Sequence, residues 1–181
     1  DYRGYAGQVA GGVLKKGDEV IVLPSGMTSK IAGIDLFDRE VEQAFPPMSV
    51  TVRLEDDVDV SRGDMIARVN NAPTPSQDID AMICWMTNEP LRPRQKLAIK
   101  HTTRTARTVV KDIQYRLDIN TLHRDSDAGE LALNEIGRVK LRTTVPLLVD
   151  EYAKNRTTGS FILIDEATGV TVGAGMINSA G

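Results

Sequence analysis

The sequence predicts an all-β fold built as two consecutive small β-barrels, and three observations carry that reading. Apolar spacing at i, i+3 and i+4 is nowhere sustained over a helix length, whereas short runs of alternating apolar and polar residues recur. Aromatic residues make up only 4% of the chain, so any core is drawn from Val, Ile, Leu, Met and Ala, many of them β-branched and suited to strands. A turn device also occurs twice: Lys16-Gly17-Asp18 precedes Glu19-Val20-Ile21-Val22-Leu23, and Arg62-Gly63-Asp64 precedes Met65-Ile66-Ala67-Arg68-Val69. A basic residue, a glycine and an aspartate ahead of a β-rich run mark a fixed turn into a strand.

Taken in order, a short strand over 5–10 leads through the Gly11-Gly12 bend into the first hairpin, closed by Pro24-Ser25-Gly26. Residues 27–34 continue it, with Ile31 and Ile34 flanked by small residues. The charged segment 36–44 reads as a solvated loop or an exposed strand pair. After Pro46-Pro47, Met48, Val50, Val52 and Leu54 alternate with Ser49, Thr51 and Arg53, the cleanest period-two strand in the chain. Asn70-Asn71-Ala72-Pro73-Thr74-Pro75-Ser76 is a polar, proline-rich connector, which sets the expected modules at 1–71 and 72–181.

In the second module, 79–86 (IDAMICWM) reads as a buried strand, since it is short and followed by Pro90 and Pro93. Residues 96–117 form the longest β-type stretch, with no Gly or Pro. A polar loop over 125–130 precedes alternation around Val139, Leu141 and Thr143, and 146–149 reads as a short packed turn. Residues 160–165 and 170–177 form a hairpin around Glu166-Ala167-Thr168-Gly169.

The totals exclude several classes. A length of 181 residues accommodates one large or two small domains. A net charge of -3 and a pI near 5.4 argue against nucleic-acid binding through overall charge, although a local basic patch remains open. Cys84 is the only cysteine, so neither an intrachain disulfide nor an all-cysteine metal site forms, and a reducing, cytoplasmic setting is expected. No apolar run approaches the roughly 20 residues that span a bilayer, and the N-terminus does not read as a signal peptide, so no membrane partner is expected. Asn155-Arg156-Thr157 is read as a chance glycosylation match.

The acid-rich segment 55–63 fails as a calcium loop: counted from Asp57, the positions requiring Gly and a bidentate Glu hold Arg62 and Arg68. His101 and His123 are the only histidines and share no metal-ligand spacing with Cys84 or the acids. Gly159, Gly169, Gly173 and Gly175 form no phosphate loop and fit bulges or close strand contacts instead. No catalytic, cofactor-binding or metal residue is therefore assigned.

The basic run is the one candidate site. Arg92, Arg94, Lys96, Lys100, Arg104, Arg107 and Lys111 place seven positive charges between Glu89 and Asp112 with no acid among them. Read as one strand, Lys100 and Arg104 share a face. The run is either a surface for an anion, an RNA backbone or an acidic partner, or a solvated barrel face, and it lacks the aromatics that stack bases.

Several strings occur together in order: Arg3-Gly4-Tyr5-Ala6-Gly7, Leu14-Lys15-Lys16-Gly17-Asp18-Glu19-Val20, Leu23-Pro24-Ser25-Gly26, the stretch from Leu54 to Asp64, Lys100-His101-Thr102-Thr103-Arg104 and Phe161-Ile162-Leu163-Ile164-Asp165. The chain thereby resembles, nearly end to end, the large GTP-binding subunit of heteromeric bacterial sulfate adenylyltransferase (ATP sulfurylase), a family related to elongation factor Tu. The resemblance implies the second and third domains of such a GTPase, both β-barrels, with the chain beginning after the first strand of the second domain and leaving an unpaired edge. Motifs for GTP are absent from these residues, so GTP and Mg2+ are implied only for a GTPase domain outside them. The same resemblance implies two partners: the catalytic small subunit, which makes adenylyl sulfate from ATP and sulfate, and the chain's own GTPase domain. Within it, Lys100, His101, Arg104 and Arg107 are the expected partner-binding residues. The alternative is an RNA- or tRNA-binding barrel pair of a translational GTPase, disfavoured by the acidic pI and sparse aromatics.

Overall fold

The computed structural model describes residues 1–180. The chain divides into two compact units, Asp1–Pro73 and from Thr74 onward.

In the first unit the strands are β1 (Tyr5–Gln8), β2 (Leu14–Lys15), β3 (Glu19–Leu23), β4 (Met27–Leu36), β5 (Arg39–Val41), β6 (Gln43–Ala44), β7 (Ser49–Leu54) and β8 (Met65–Arg68), followed by a 3-10 turn over Val69–Asn71. The main sheet runs β1-β7-β4-β3-β8 with β5 added to β4, and β2 pairs with β6 apart from it. Both pieces wrap one core of Val9, Val20, Ile31, Ile34, Ala44, Val50 and Val52. The predicted alternation in β7 holds, with Val50 and Val52 buried between exposed or half-buried neighbours. The charged segment 36–44 is the strand-pair form of its two readings, because β5 and β6 both lie in it.

The Gly-Asp device forms as expected and is more regular than the sequence suggested. Gly17 has φ of 89°, the Asp18 N–H donates to the Lys15 carbonyl at 3.1 Å, and the Asp18 carboxylate accepts from the Lys15 N–H at 2.8 Å. Gly63 has φ of 96°, the Asp64 N–H donates to the Ser61 carbonyl at 3.0 Å, and its carboxylate accepts from the Ser61 N–H at 2.9 Å. A left-handed third residue and a fourth side chain that bonds back to the first N–H close each turn.

The second unit contains β9 (Thr74–Trp85), β10 (Lys96–His101), β11 (Arg104–Leu117), β12 (Arg124–Asp125), β13 (Ile136–Val149), β14 (Ser160–Ile164) and β15 (Thr171–Ala180). Six of them close into a ring, β10-β14-β15-β9-β13-β11 and back to β10, with β12 attached to β11. Its interior is filled by Ile79, Ile83, Trp85, Leu97, Ile99, Val110, Leu141, Leu163 and their neighbours. The Trp85 indole N–H reaches the Glu89 carbonyl at 2.7 Å, which satisfies the one polar atom this ring takes inside. A Cβ on Gly175 would overlap the ring of Phe161, its cross-strand partner, so this glycine serves close packing.

Three sequence readings are corrected. The polar connector does not stay outside the barrel, since Thr74, Pro75 and Ser76 begin β9. The packed turn expected over 146–149 is strand, and it pairs with those same residues: Leu147 with Ser76, Leu148 with Pro75, Val149 with Thr74. Pro146 lies within the register shift between Arg142 and Leu147, where a missing N–H breaks no ladder bond. The stretch 96–117 is a hairpin broken at Thr102-Thr103, with Thr102 at φ of 53° in place of the glycine that normally announces such a turn.

The same turn recurs twice without glycine. Arg94 has φ of 69° and the Gln95 side chain accepts from the Arg92 N–H at 3.2 Å; Asn134 has φ of 65° and the Glu135 carboxylate accepts from the Ala132 N–H at 2.9 Å. Asp18→Ala and Asp64→Ala are each expected to lower the unfolding free energy by about 1 kcal/mol. Gly17→Ala, whose new Cβ meets no atom within 4 Å, costs about 1–2 kcal/mol from backbone conformation alone. Arg94→Gly relieves the left-handed strain and gains about 0.5 kcal/mol after the added chain entropy. Urea denaturation of the four variants measures all these changes.

Candidate functional site

The basic hairpin is built from β10 and β11 in antiparallel register: Ala98 opposes Arg107, Lys100 opposes Thr105 and His101 opposes Arg104. Opposed residues share a sheet face. Lys96, Lys100 and Arg107 consequently point outward, while His101 and Arg104 lie on the other face. The expectation that Lys100 and Arg104 share a face is overturned, because the chain reverses at Thr102-Thr103 between them.

The structure disperses the seven charges. Arg92 pairs with Glu130 at 2.9 Å and Arg107 with Glu166 at 3.4 Å. Lys100 has no ion-pair partner among the described residues. Arg104 is half-buried at the hairpin tip and Lys111 is exposed further along β11.

His101 is only 1% exposed, so its ring offers no surface to a partner. It acts as a latch instead. The Thr158 carbonyl can only accept, so His101 Nε2 carries the proton of their 2.6 Å bond. The Thr158 hydroxyl donates to Asp150 at 2.7 Å, and Asn155 accepts from the N–H groups of Thr157 and Thr158 at 2.9 and 3.1 Å. These bonds fasten the loop between β13 and β14, which carries Arg156, to the hairpin tip. Burial pushes the His101 pKa below its ordinary value, against smaller upward pulls from the Thr158 carbonyl and the Asp150 charge.

Beside this latch lies an open groove of about 710 Å³. Its floor follows the ladder: Lys100 opposes Ile162, Ile162 opposes Ala174, Ala174 opposes Cys84 and Cys84 opposes Ile136. Met82, Met176, Tyr152, Arg156 and Thr157 complete it. Sequence reasoning missed the groove because its residues come from five strands and a loop that are scattered along the chain. Only the apolar outward positions of 79–86 hinted at it.

Elsewhere the acids are used structurally. Arg3 pairs with Asp57 and with Asp59, the latter at 3.1 Å, and Tyr5 donates to the Val58 carbonyl at 2.5 Å. This ties the acid-rich segment to the N-terminal residues. His123 lines a smaller recess of about 480 Å³ with Arg116, Asp118 and Glu135, in which Arg116 already bridges Asp125 and Glu135 at 3.1 and 3.2 Å. No cluster of three or more His, Cys, Asp or Glu side chains capable of holding a metal occurs among the described residues. Among the described residues no helix is long and apolar enough to cross a membrane.

Two all-β units, the second a closed six-stranded ring, give the chain the fold class of the paired β-barrels of elongation-factor-type proteins. The profile of the GTP-eEF1A C-terminal domain-like family matches residues 78–178, and the chain belongs to that family. It is 58% identical to the bifunctional enzyme CysN/CysC of Mycobacterium tuberculosis over 178 residues, which is 98% of this chain and 29% of that protein. It is 46% identical over 177 residues to sulfate adenylyltransferase subunit 1 of Bacteroides fragilis, covering 98% of this chain and 37% of the relative. The chain thus spans about a third of the length of these curated relatives. Among solved structures, that of sup35 complexed with GDP superposes with a TM-score of 0.87 at 20% identity, covering 99% of this chain and 46% of the other.

The His101 latch carries a pH signature. With a depressed folded pKa, the unfolded chain binds the additional proton first, so stability is full above the ordinary histidine value of about 6.5 and falls as pH drops below it, until the folded pKa is reached. His101→Gln keeps a donor for Thr158 without a titrating ring and is expected to flatten that part of the profile. His101→Ala costs about 1–3 kcal/mol at every pH above it. Thermal melts between pH 5 and pH 8, an interval chosen to bracket about 6.5, read both effects.

Proposed function

We propose that this chain is the two-barrel region of the GTP-binding subunit of sulfate adenylyltransferase. In this reading it makes no bond itself. It couples GTP hydrolysis in a domain outside these residues to adenylyl sulfate synthesis from ATP and sulfate by a catalytic partner subunit. The observation that carries the reading is identity of 46–58% sustained over 98% of the chain to subunit 1 and CysN/CysC relatives. The likeness to sup35, at 20% identity, supports the fold alone.

GTP and Mg2+ belong, in this reading, to the GTPase domain. The protein works in the reducing cytoplasm, where Cys84 remains a thiol. Lys100 and Arg107 form the contact surface toward the catalytic subunit, with Arg104 at the hairpin tip beside it on the other face, and His101 contributes by holding the Arg156 loop against the hairpin. Coupling of this kind requires that the barrels contact the partner differently in different nucleotide states. A tRNA-binding role is less well supported. Among the described residues Arg92 and Arg107 are paired with acids, whereas a backbone-tracking surface relies on unpaired cations.

Lys100→Glu with Arg107→Glu in the full-length subunit is expected to weaken binding of the catalytic subunit at least tenfold, equivalent to about 1.4 kcal/mol, and to lower GTP-stimulated adenylyl sulfate synthesis in parallel. Unchanged affinity and unchanged stimulation would remove this surface from the reading. Steeply salt-dependent tRNA binding by the wild-type protein would move the whole chain to the translational alternative.

A further inference from the structure

The β4–β5 hairpin turns at Phe37 and Asp38. Phe37 is 95% exposed and its φ is 56°. Both facts run against the preferences of a bulky apolar residue, which favours burial and avoids left-handed backbone. Strain and exposure at one residue persist only where the surroundings hold them, and such outliers concentrate at functional positions.

The hairpin beneath Phe37 is braced on several sides. Leu36 opposes Arg39, Asp35 opposes Glu40 and Ile34 opposes Val41. From β7, Arg53 donates to Asp35 at 2.9 Å and to Glu40 at 2.9 Å. Lys16 reaches Glu40 at 2.8 Å, and the Tyr2 hydroxyl donates to Asp35 at 2.8 Å. Gly33, opposite Arg53, leaves the space that the guanidinium fills. The network is mutually consistent in its electrostatics. Arg53 and then Tyr2 hold the Asp35 carboxyl below its ordinary pKa, Lys16 and then Arg53 do so for Glu40, and the Asp35 bond raises the Tyr2 phenol. Tyr2, itself 72% exposed, sets a second ring at the base of the same hairpin. The hairpin under this aromatic tip is therefore braced on several sides before any partner arrives, which removes part of the backbone ordering cost of binding.

We propose that this tip is a protein-docking knob, in which Phe37 enters an apolar pocket on a partner chain while the exposed Asp38 and Glu42 face a cationic rim around that pocket. An aromatic centre ringed by charge is the anatomy of an interface hot spot. The acids decide the partner's chemistry. Asp35 and Glu40 are already paired with Arg53 and Lys16, which leaves Asp38 and Glu42 against Arg39 as the exposed charges of the tip; this excess of acid repels anionic lipid and nucleic acid, and a second copy of this chain brings the same acids and a net charge of -3. A protein with a basic-rimmed apolar cavity satisfies both features. Identifying that protein as the catalytic subunit rests on the functional reading above.

The test is calorimetric titration of the catalytic subunit into the full-length GTP-binding subunit. Phe37→Gly accepts the left-handed backbone, so its melting temperature is expected to equal or exceed that of the wild type, while affinity falls roughly thirtyfold. Asp38→Lys is expected to weaken binding most at low salt. If the wild type binds and Phe37→Gly binds equally well, the knob is overturned and the sulfate-activation reading stands. If the wild type itself fails to bind the catalytic subunit, that reading falls and this inference with it. Phe37-dependent binding to phosphatidylcholine vesicles, or Phe37-dependent dimerisation in sedimentation of the subunit alone, overturns the choice of a protein partner of this chemistry.

Discussion

One backbone arrangement recurs ahead of β3, β10 and β13. The N–H of the third turn residue donates to a residue on the neighbouring strand, and the carbonyl of the fourth accepts from that same residue. Gly17 and Asp18 do this with Ile31, Arg94 and Gln95 with Val110, and Asn134 and Glu135 with Trp85. All three partners are essentially buried. The side chain of the fourth residue then bonds back to the first N–H, so the turn is pinned at both ends. Because a shift of one residue would send every side chain to the wrong face, a turn anchored onto a core residue fixes the register of the strand it launches. In the second unit the two copies are also tied to each other, since Leu91 and Leu131, each just ahead of its turn, exchange hydrogen bonds at 2.8 and 3.0 Å and are fully buried.

Legibility in the sequence followed the same physics. The turns at Gly17 and Gly63 could be read because glycine advertises positive φ. Their equivalents at Arg94 and Asn134 could not, because tertiary contacts impose that conformation on residues with no preference strong enough to show it. Thr102 is the extreme case: a β-branched residue at φ of 53° hid a hairpin inside what looked like one continuous strand. The strand content of β3, β7, β14 and β15 was legible from alternation. Pro75 and Pro146 were misread as breakers since a proline inside a strand is harmless only where the ladder already lacks a bond: Pro146 falls in the register shift between Arg142 and Leu147, and Pro75 lies outside the part of β9 that pairs with β15, neither of which composition can reveal.

The candidate surface was half legible for the same reason. Clustering of cations against the sign of the whole chain is visible in one dimension, but which of them face outward depends on where the hairpin turns. Once it turns at Thr102-Thr103, His101 becomes an interior latch, and Lys100 stands at the head of a groove floored by Ile162, Ala174 and Cys84. The Phe37 tip was passed over entirely, since a single Phe in a charged loop carries no periodic signal. Its meaning comes from exposure, backbone angle and the ion network under it.

Closure of the second unit bears on the proposed coupling. Each of the six ring strands is hydrogen-bonded on both sides, so no strand can slide or peel without breaking two ladders, and the interior is packed to full burial. A barrel of this kind does not absorb a displacement at its hairpin by deforming; it passes the displacement on as a rigid body. The fold persists at 20% identity to sup35, and that is expected if turns and core alone specify it, leaving outward residues such as Lys100, Arg107 and Phe37 open to partner-specific change. A fold specified by its turns and core leaves outward positions free to vary, so partner-specific chemistry is expected on the surface of this chain rather than in its interior.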